Sequence, residues 1–358
     1  MRDRTAQQSP FLSPAFVLPP YLLDRVARHG NARLRALASD TLALDQHMRG
    51  LRAGMPRVSS ISAQARASSP GQVQRAVYSA EQGNQLPGTL VRGEGQPASG
   101  DPAVDEAYEY LGATYALFWE VYQRHSIDGA GLPLIGTVHY GQGYENAFWN
   151  GEQMVFGDGD GEIFNRFTIA VDIVGHELAH GVIEHEAGLI YQNQAGALNE
   201  SLSDVFGSLV KQYRLKQNAE EADWLIGAGL FTSAVKARAL RSMAEPGSAY
   251  DDPVLGKDPQ PGHMKDFVDT HIDNGGVHIN SGIPNRAFYL TATALGGPAW
   301  EKAGRVWYDA LRDERLGSNA DFAAFARLTL DNAAKLFGAN STEQQAVKAG
   351  WDGVGVTT

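Results

Sequence analysis

Residues 168–188 read TIAVDIVGHELAHGVIEHEAG, in which Ile169, Ala170, Val171, Ile173, Val174, Leu178, Val182 and Ile183 surround one polar stripe, Asp172, His176, His180 and Glu184, spaced by four. That spacing marks a helix, and apolar residues on most other sides mark a buried one. Buried ionised groups need partners, because leaving one unpaired costs several kcal/mol. Histidines at i and i+4 stack on one face, so both imidazoles reach one metal ion, while Glu177 projects about 100 degrees round the helix toward a reacting water. The plain alternative is two hydrogen-bonded core histidines and no metal.

A catalytic zinc takes three protein ligands and keeps a fourth position open. Residues 195–207, AGALNESLSDVFG, form a second amphipathic helix whose apolar positions include Leu198, Leu202, Val205, Phe206 and, just beyond, Leu209. Glu200 and Asp204 share a face of it, and two carboxylates so placed repel unless a cation lies between them. Glu200 is the natural third ligand, and Asp204 is placed to accept the second N–H of a ligating histidine. An ordinary acidic helix face is the alternative reading of that pair.

Around these helices, 358 residues allow two or three folding units. A hydrophobic fraction of 43% and a mean hydropathy of -0.28 suit a large core. No run approaches the ~18 apolar residues of a membrane helix. Pro19-Pro20 cuts short the apolar run Phe16-Val17-Leu18, so no secretory signal is read, and the location expected is cytoplasmic, with export by a non-standard route left open. Zero cysteines exclude disulfides, thiol nucleophiles and Cys-type metal sites. Residues 1–57 hold nine Arg and four Asp with no Lys or Glu, a net +5, which leaves -16 of the chain's -11 to the remainder. A basic front on an acidic body speaks against a nucleic-acid partner and for a front that either trails in solvent or docks on the body.

Residues 21–49 read as helices broken at Gly30-Asn31, and 50–72, rich in Gly, Ser, Ala and Arg, as a linker open to proteolysis. Residues 73–166 alternate short apolar runs (73–78, 134–140, 153–156) with turns, around a helix at 104–124. From 168 onward the segments 168–186, 195–216, 222–231, 283–294, 298–313, 319–337 and 342–351 read as helical.

HELAH at 176–180, then GLIYQNQAGALNESLSDVFG with the acidic residue twenty positions after the second His, resembles the thermolysin-like zinc metallopeptidases. AFWNG, MVFGDGDG, LRSM and DNGGVHINSGIPNRAFYL extend the resemblance over roughly 75–355. Phe16 to Leu23, with Pro19, Pro20 and Tyr21, resembles the subgroup with short prosegments typified by protealysin. The resemblance implies an α+β fold of two lobes, strand-rich and then helical, with the zinc helix between them. The implied divisions are a helical propeptide (1–52), a cleavable linker (53–72), an N-terminal lobe (73–187) and a C-terminal helical lobe (188–358).

It also implies a precursor of a zinc metalloendopeptidase, kept inactive by its propeptide and matured by autoproteolysis. His176, His180 and Glu200 are then the ligands of one zinc, Glu177 the general base, and Asp204 the residue that orients a ligand His. Tyr191 and His278 steady the oxyanion, with Asp273 holding His278. Asn146 and the backbone of Ala147 bind extended substrate and Arg241 clamps its carbonyl. Phe164, Phe167, Ile173, Leu230 and Leu240 line an apolar pocket, so cleavage is expected before Leu, Phe, Ile or Val. The partners implied are peptides and the chain's own propeptide in the cleft, with no nucleic acid or membrane, for a monomeric enzyme. Of the family's double calcium site Asp172 and Asp223 remain, while Lys211, Leu225 and Ala228 stand at the other positions. The double site is therefore expected to be absent, with Lys211 pairing to Asp172 or Asp223 and calcium elsewhere left open. A silent binding protein on this scaffold and a zinc exopeptidase are the alternatives.

Overall fold

Two residues of the N-terminal segment complete the sheet that carries the cleft. The computed structural model describes residues 15–53 and 68–358; the first fourteen residues and most of the expected linker lie outside it. Strand β1 (Ala15–Phe16) is followed by helices α1 (Pro20–His29) and α2 (Ala32–Ala53), parted at Gly30-Asn31 as the sequence predicts. Then come β2 (Arg75–Ser79), β3 (Thr89–Gly93), α3 (Pro102–Ala116) with a π-helical turn (Leu117–Val121), β4 (Leu134–Val138), β5 (Ala147–Trp149) and β6 (Met154–Phe156). The six strands form one sheet in the order β1-β5-β6-β4-β2-β3. β5 runs antiparallel to β6 on one side and to β1 on the other. Proline at the start of α3, with Asp101 accepting from the N–H groups of Ala103 and Val104, sets where that helix begins.

Helix α4 (Val171–His185) is buried from Asp172 to Ile183, and α5 (Asn193–Leu215) from Ala195 to Val210. They cross where glycine faces glycine: a Cβ on Gly175 would lie 3.1 Å from the Cα of Gly207, and one on Gly207 would lie 2.5 Å from the Asp172 carbonyl oxygen. Each helical glycine costs about 1 kcal/mol against alanine, and the close approach it permits brings the α4 histidines against the α5 carboxylates. Beyond α5, two short ribbons pair β7 (Leu225–Ile226) with β8 (Arg241–Ser242) and β9 (Asp251–Asp252) with β10 (Gly256–Lys257). Helices α6 (Asp273–Asn280), α7 (Gly282–Leu295), α8 (Ala303–Leu311), α9 (Phe322–Phe337) and α10 (Thr342–Gly353) complete the second lobe.

The two-lobed α+β expectation holds, but the helix expected at 222–231 does not form. Asp223 takes the N–H of Leu225 onto its side chain, and Gly227 and Gly229 adopt φ of 72° and 90°, so the chain turns into β7 instead. No helix among the described residues is long and apolar enough to cross a membrane.

Candidate metal centre and cleft

His176 and His180 stand one turn apart on α4, and α5 faces them with Glu200, Asp204 and Asn199. His176 Nδ1 lies 2.8 Å from Asp204 Oδ1, and His180 Nδ1 lies 2.8 Å from Asn199 Oδ1. Both Nδ1 atoms therefore carry the proton, and both Nε2 atoms present lone pairs. Those Nε2 atoms are 3.0 Å apart, each 3.5 Å from a Glu200 carboxylate oxygen. Two lone pairs cannot hydrogen-bond each other, and the buried Oε2 of Glu200 has no hydrogen-bond partner. A cation among these donors reconciles all three, so the residues fit a metal held on two imidazoles and a carboxylate.

Glu177 is buried, and its Oε2 accepts the Trp149 N–H at 3.1 Å. Burial, then the neighbouring Glu200 carboxylate, pushes its pKa well above the usual range, toward that of a group ready to take a proton. Tyr191 donates to Glu200 and lies 3.2 Å from His278 Nε2. His278 is placed by α6, which opens on a left-handed stretch at Asp273, Asn274, Gly275 and Gly276, a backbone that Asn and Gly tolerate best. Asp273 curls back to accept from the His278 N–H at 2.8 Å and lies 2.6 Å from its Nδ1. Burial opposes charge on this imidazole, but Asp273 and Glu200 outweigh it and raise its pKa to about 9.

Asp204 joins two parts of the site. It faces His176, accepts from Arg241 Nε and Nη2 at 2.8 Å each, and accepts from Asn285 Nδ2 at 2.8 Å. Burial would raise its pKa, yet Arg241 and His176 hold the carboxyl well below the usual range. Asn199, which holds His180, and Asn285 of α7, which holds Asp204, are not among the residues named from the sequence, and nothing in the sequence pairs Asn285 with Asp204.

The apolar residues named from the sequence are all buried. The rings of Phe164 and Phe167 lie 6.0 Å apart, Leu230 accepts the Asn165 N–H, and Gly227 sits between Ile173 and Leu240. Residues 16–18 of the N-terminal segment fill the cleft beside them. The Val17 N–H donates to Ala147 O at 3.1 Å, and the Leu18 N–H donates to Asn146 Oδ1 at 3.0 Å. Arg241 Nη1 donates to Val17 O at 3.2 Å, and His278 Nε2 lies 3.0 Å from Phe16 O. Pro19 is buried and Pro20 opens α1, so the Pro-Pro pair turns the chain out of the cleft while Val17 and Leu18 make the polar contacts. Tyr21 is packed beside Tyr250, where burial raises its phenol pKa. Elsewhere Lys211 Nζ lies 3.2 Å from Asp172 and 2.8 Å from Asp223, in the ion pairs expected from the sequence.

With this geometry in view, comparison with known proteins is informative. A model of the thermolysin metallopeptidase catalytic domain matches residues 59–184, and one of the thermolysin metallopeptidase alpha-helical domain matches 187–356. The chain is 59% identical over 341 residues to an extracellular metalloprotease of Pectobacterium carotovorum subsp. carotovorum, covering 95% of this chain and 96% of that protein. It is 54% identical over 200 residues to an extracellular minor metalloprotease of Serratia marcescens, covering 56% and 57%. Among solved structures, the precursor of protealysin, a metalloproteinase from Serratia proteamaculans, superposes with a TM-score of 0.88 at 58% identity, covering 96% of this chain and all of that one. The cytoplasmic expectation is overturned by these relatives, whose names place them outside the cell. It rested on the make-up of the first twenty residues alone, which is too narrow a basis.

Proposed function

The chain belongs to the thermolysin family of metallopeptidases, and from that premise we propose that it is the precursor of a zinc endopeptidase cutting on the amino side of hydrophobic residues, held inactive by residues 1–52 and freed by its own cleavage within 53–72. His176, His180 and Glu200 hold the metal. Bound there, zinc supplies Lewis acidity toward a water and a peptide carbonyl. Glu177 takes a proton from the attacking water and returns it to the leaving amine nitrogen. Tyr191 and His278 donate to the oxygen on which negative charge gathers, and Asp273 keeps His278 charged and oriented. Arg241 and Asn146 fix the backbone on the far side of the scissile bond, and pairing to β5 reads an extended peptide without reading its sequence. Phe164, Phe167, Ile173, Leu230 and Leu240 select the side chain that follows the cut. Lys211, paired with Asp172 and Asp223, takes the place of the double calcium site.

The observation that carries this reading is the pair of Nε2 atoms facing each other 3.0 Å apart beside Glu200, with Glu177 next to them. Casein digestion with and without a zinc chelator tests it. Internal cuts that stop with the chelator are expected; no digestion marks a binding protein, and loss of terminal residues only marks an exopeptidase.

A further inference from the structure

The N-terminal segment does more than cover the cleft, because its register singles out one peptide bond. It runs antiparallel to β5, with Ala15 opposite Trp149 and Phe16 opposite Phe148. The Phe16 carbonyl faces His278, the following N–H, of Val17, donates to the β5 backbone at Ala147, the Val17 carbonyl meets Arg241, and the Leu18 N–H meets Asn146. These are the contacts of an extended substrate whose reacting carbonyl is that of Phe16. Moving the register forward to Val17-Leu18 would put the Leu18 N–H on Ala147 O and the Val17 carbonyl on His278, where they are not, and one bond further would set proline against Ala147 O with no N–H to donate. Moving it back to Ala15-Phe16 would put the Phe16 carbonyl on Arg241, where it is not. The side chain after the bond suits an apolar pocket as well: Val17 is apolar and fully buried.

We infer that the Phe16–Val17 bond is itself a substrate of this enzyme, a second self-cleavage site distinct from the linker. The inference rests on the proposed peptidase reading. Hydrolysis adds the hydroxyl of water to the Phe16 carbonyl carbon and a proton to the Val17 nitrogen, leaving a Phe16 carboxylate and a Val17 ammonium. From Val17 onward the segment stays anchored, since Leu22, Leu23 and Val26 are buried, and Asp45 accepts from Asn146 Nδ2 at 2.8 Å and from the Tyr144 hydroxyl at 2.5 Å. Phe16 itself is held by the β1 pairing and by its ring, buried among Tyr140, Tyr144, Phe148 and Val155. Cleavage here severs the segment at the catalytic centre, while the part from Val17 onward still fills the primed side of the cleft.

The test is an intact-mass time course of the zinc-loaded full-length precursor beside Glu177→Gln, with a peptide of residues 13–24 given to the matured enzyme in a parallel reaction. The expected result is a chain beginning at Val17 in the wild type and none in Glu177→Gln, together with a cut between Phe16 and Val17 in the peptide. Val17→Gly in the peptide is expected to slow that cut by about tenfold or more. A matured enzyme that digests casein but leaves Phe16–Val17 intact in both precursor and peptide overturns this inference and leaves the peptidase reading standing. An enzyme that digests neither casein nor the peptide overturns both.

Discussion

Replacing Asp204 by Asn keeps the shape of the side chain and removes its charge, at the point where the metal ligands meet the substrate clamp. The carboxylate is fully buried and serves four donors at 2.8 Å: Nδ1 of His176, Nε and Nη2 of Arg241, and Nδ2 of Asn285. An asparagine offers one acceptor oxygen and an amide that cannot accept from Arg241, so the guanidinium, itself 2% exposed, is left as an uncompensated interior charge. Breaking a buried pair from one side costs about 3–5 kcal/mol, a large part of the ~5–15 kcal/mol that holds a typical domain together. His176 loses the charged acceptor that fixes its tautomer, which lowers metal affinity about 10–100-fold. The assay is urea unfolding together with zinc competition against a chelator of known affinity. Replacing Arg241 by Met as well removes the orphaned charge and should restore much of the stability without restoring substrate binding. A loss below about 1 kcal/mol with unchanged zinc affinity would refute the view that one carboxylate supports both halves of the site.

Four further outcomes follow from the same structure. His139 lies 2.9 Å from both Asp158 and Asp101, and these pairs, Asp158 foremost, raise its pKa to about 9; the stabilisation is fully present below the unfolded value of about 6.5 and is lost as pH rises through 9. Because the cluster is partly solvated, the effect should be about 1–2 kcal/mol, visible as a drop in unfolding free energy between pH 7 and 10 that His139→Gln abolishes. Gly207→Ala forces a Cβ against the Asp172 carbonyl oxygen and should cost about 1–3 kcal/mol and weaken zinc binding, as measured by thermal unfolding with and without chelator. Lys211→Met leaves Asp172 buried without its cation and should cost about 3 kcal/mol; a calcium-induced rise in the wild-type Tm that Asp223→Asn abolishes would contradict the Lys211 substitution. Stripping the zinc should lower Tm in proportion to the logarithm of the free zinc concentration, which a titration of Tm against buffered zinc checks.

The metal helix was legible because a helix period leaves its mark on a single segment: the stripe through Asp172, His176 and His180 needs no knowledge of the rest of the fold. Glu200 and Asp204 were legible for the same reason one helix later. What joins them was not, because the Gly175–Gly207 crossing and the reach of Asn285 to Asp204 depend on which helices meet. The pairing of β1 with β5 was equally hidden, since strands of two and three residues carry no period. The helix expected at 222–231 gives way to Gly227 and Gly229, whose positive φ ends regular helix there. Of the two readings of the basic front, the ion pair of Arg33 with Glu162 and the bond from Arg25 to the Pro253 carbonyl favour docking.

The central claim is that one zinc on His176, His180 and Glu200 makes this chain an endopeptidase with an apolar pocket after the cut. Mapping the cleavage sites of a peptide library, first as purified, then with a chelator, then with one equivalent of zinc restored, tests it most directly. Internal cuts before Leu, Phe, Ile and Val that vanish with the chelator and return with zinc are the result expected; cuts that persist without metal, or that fall mainly before Asp or Lys, would contradict it.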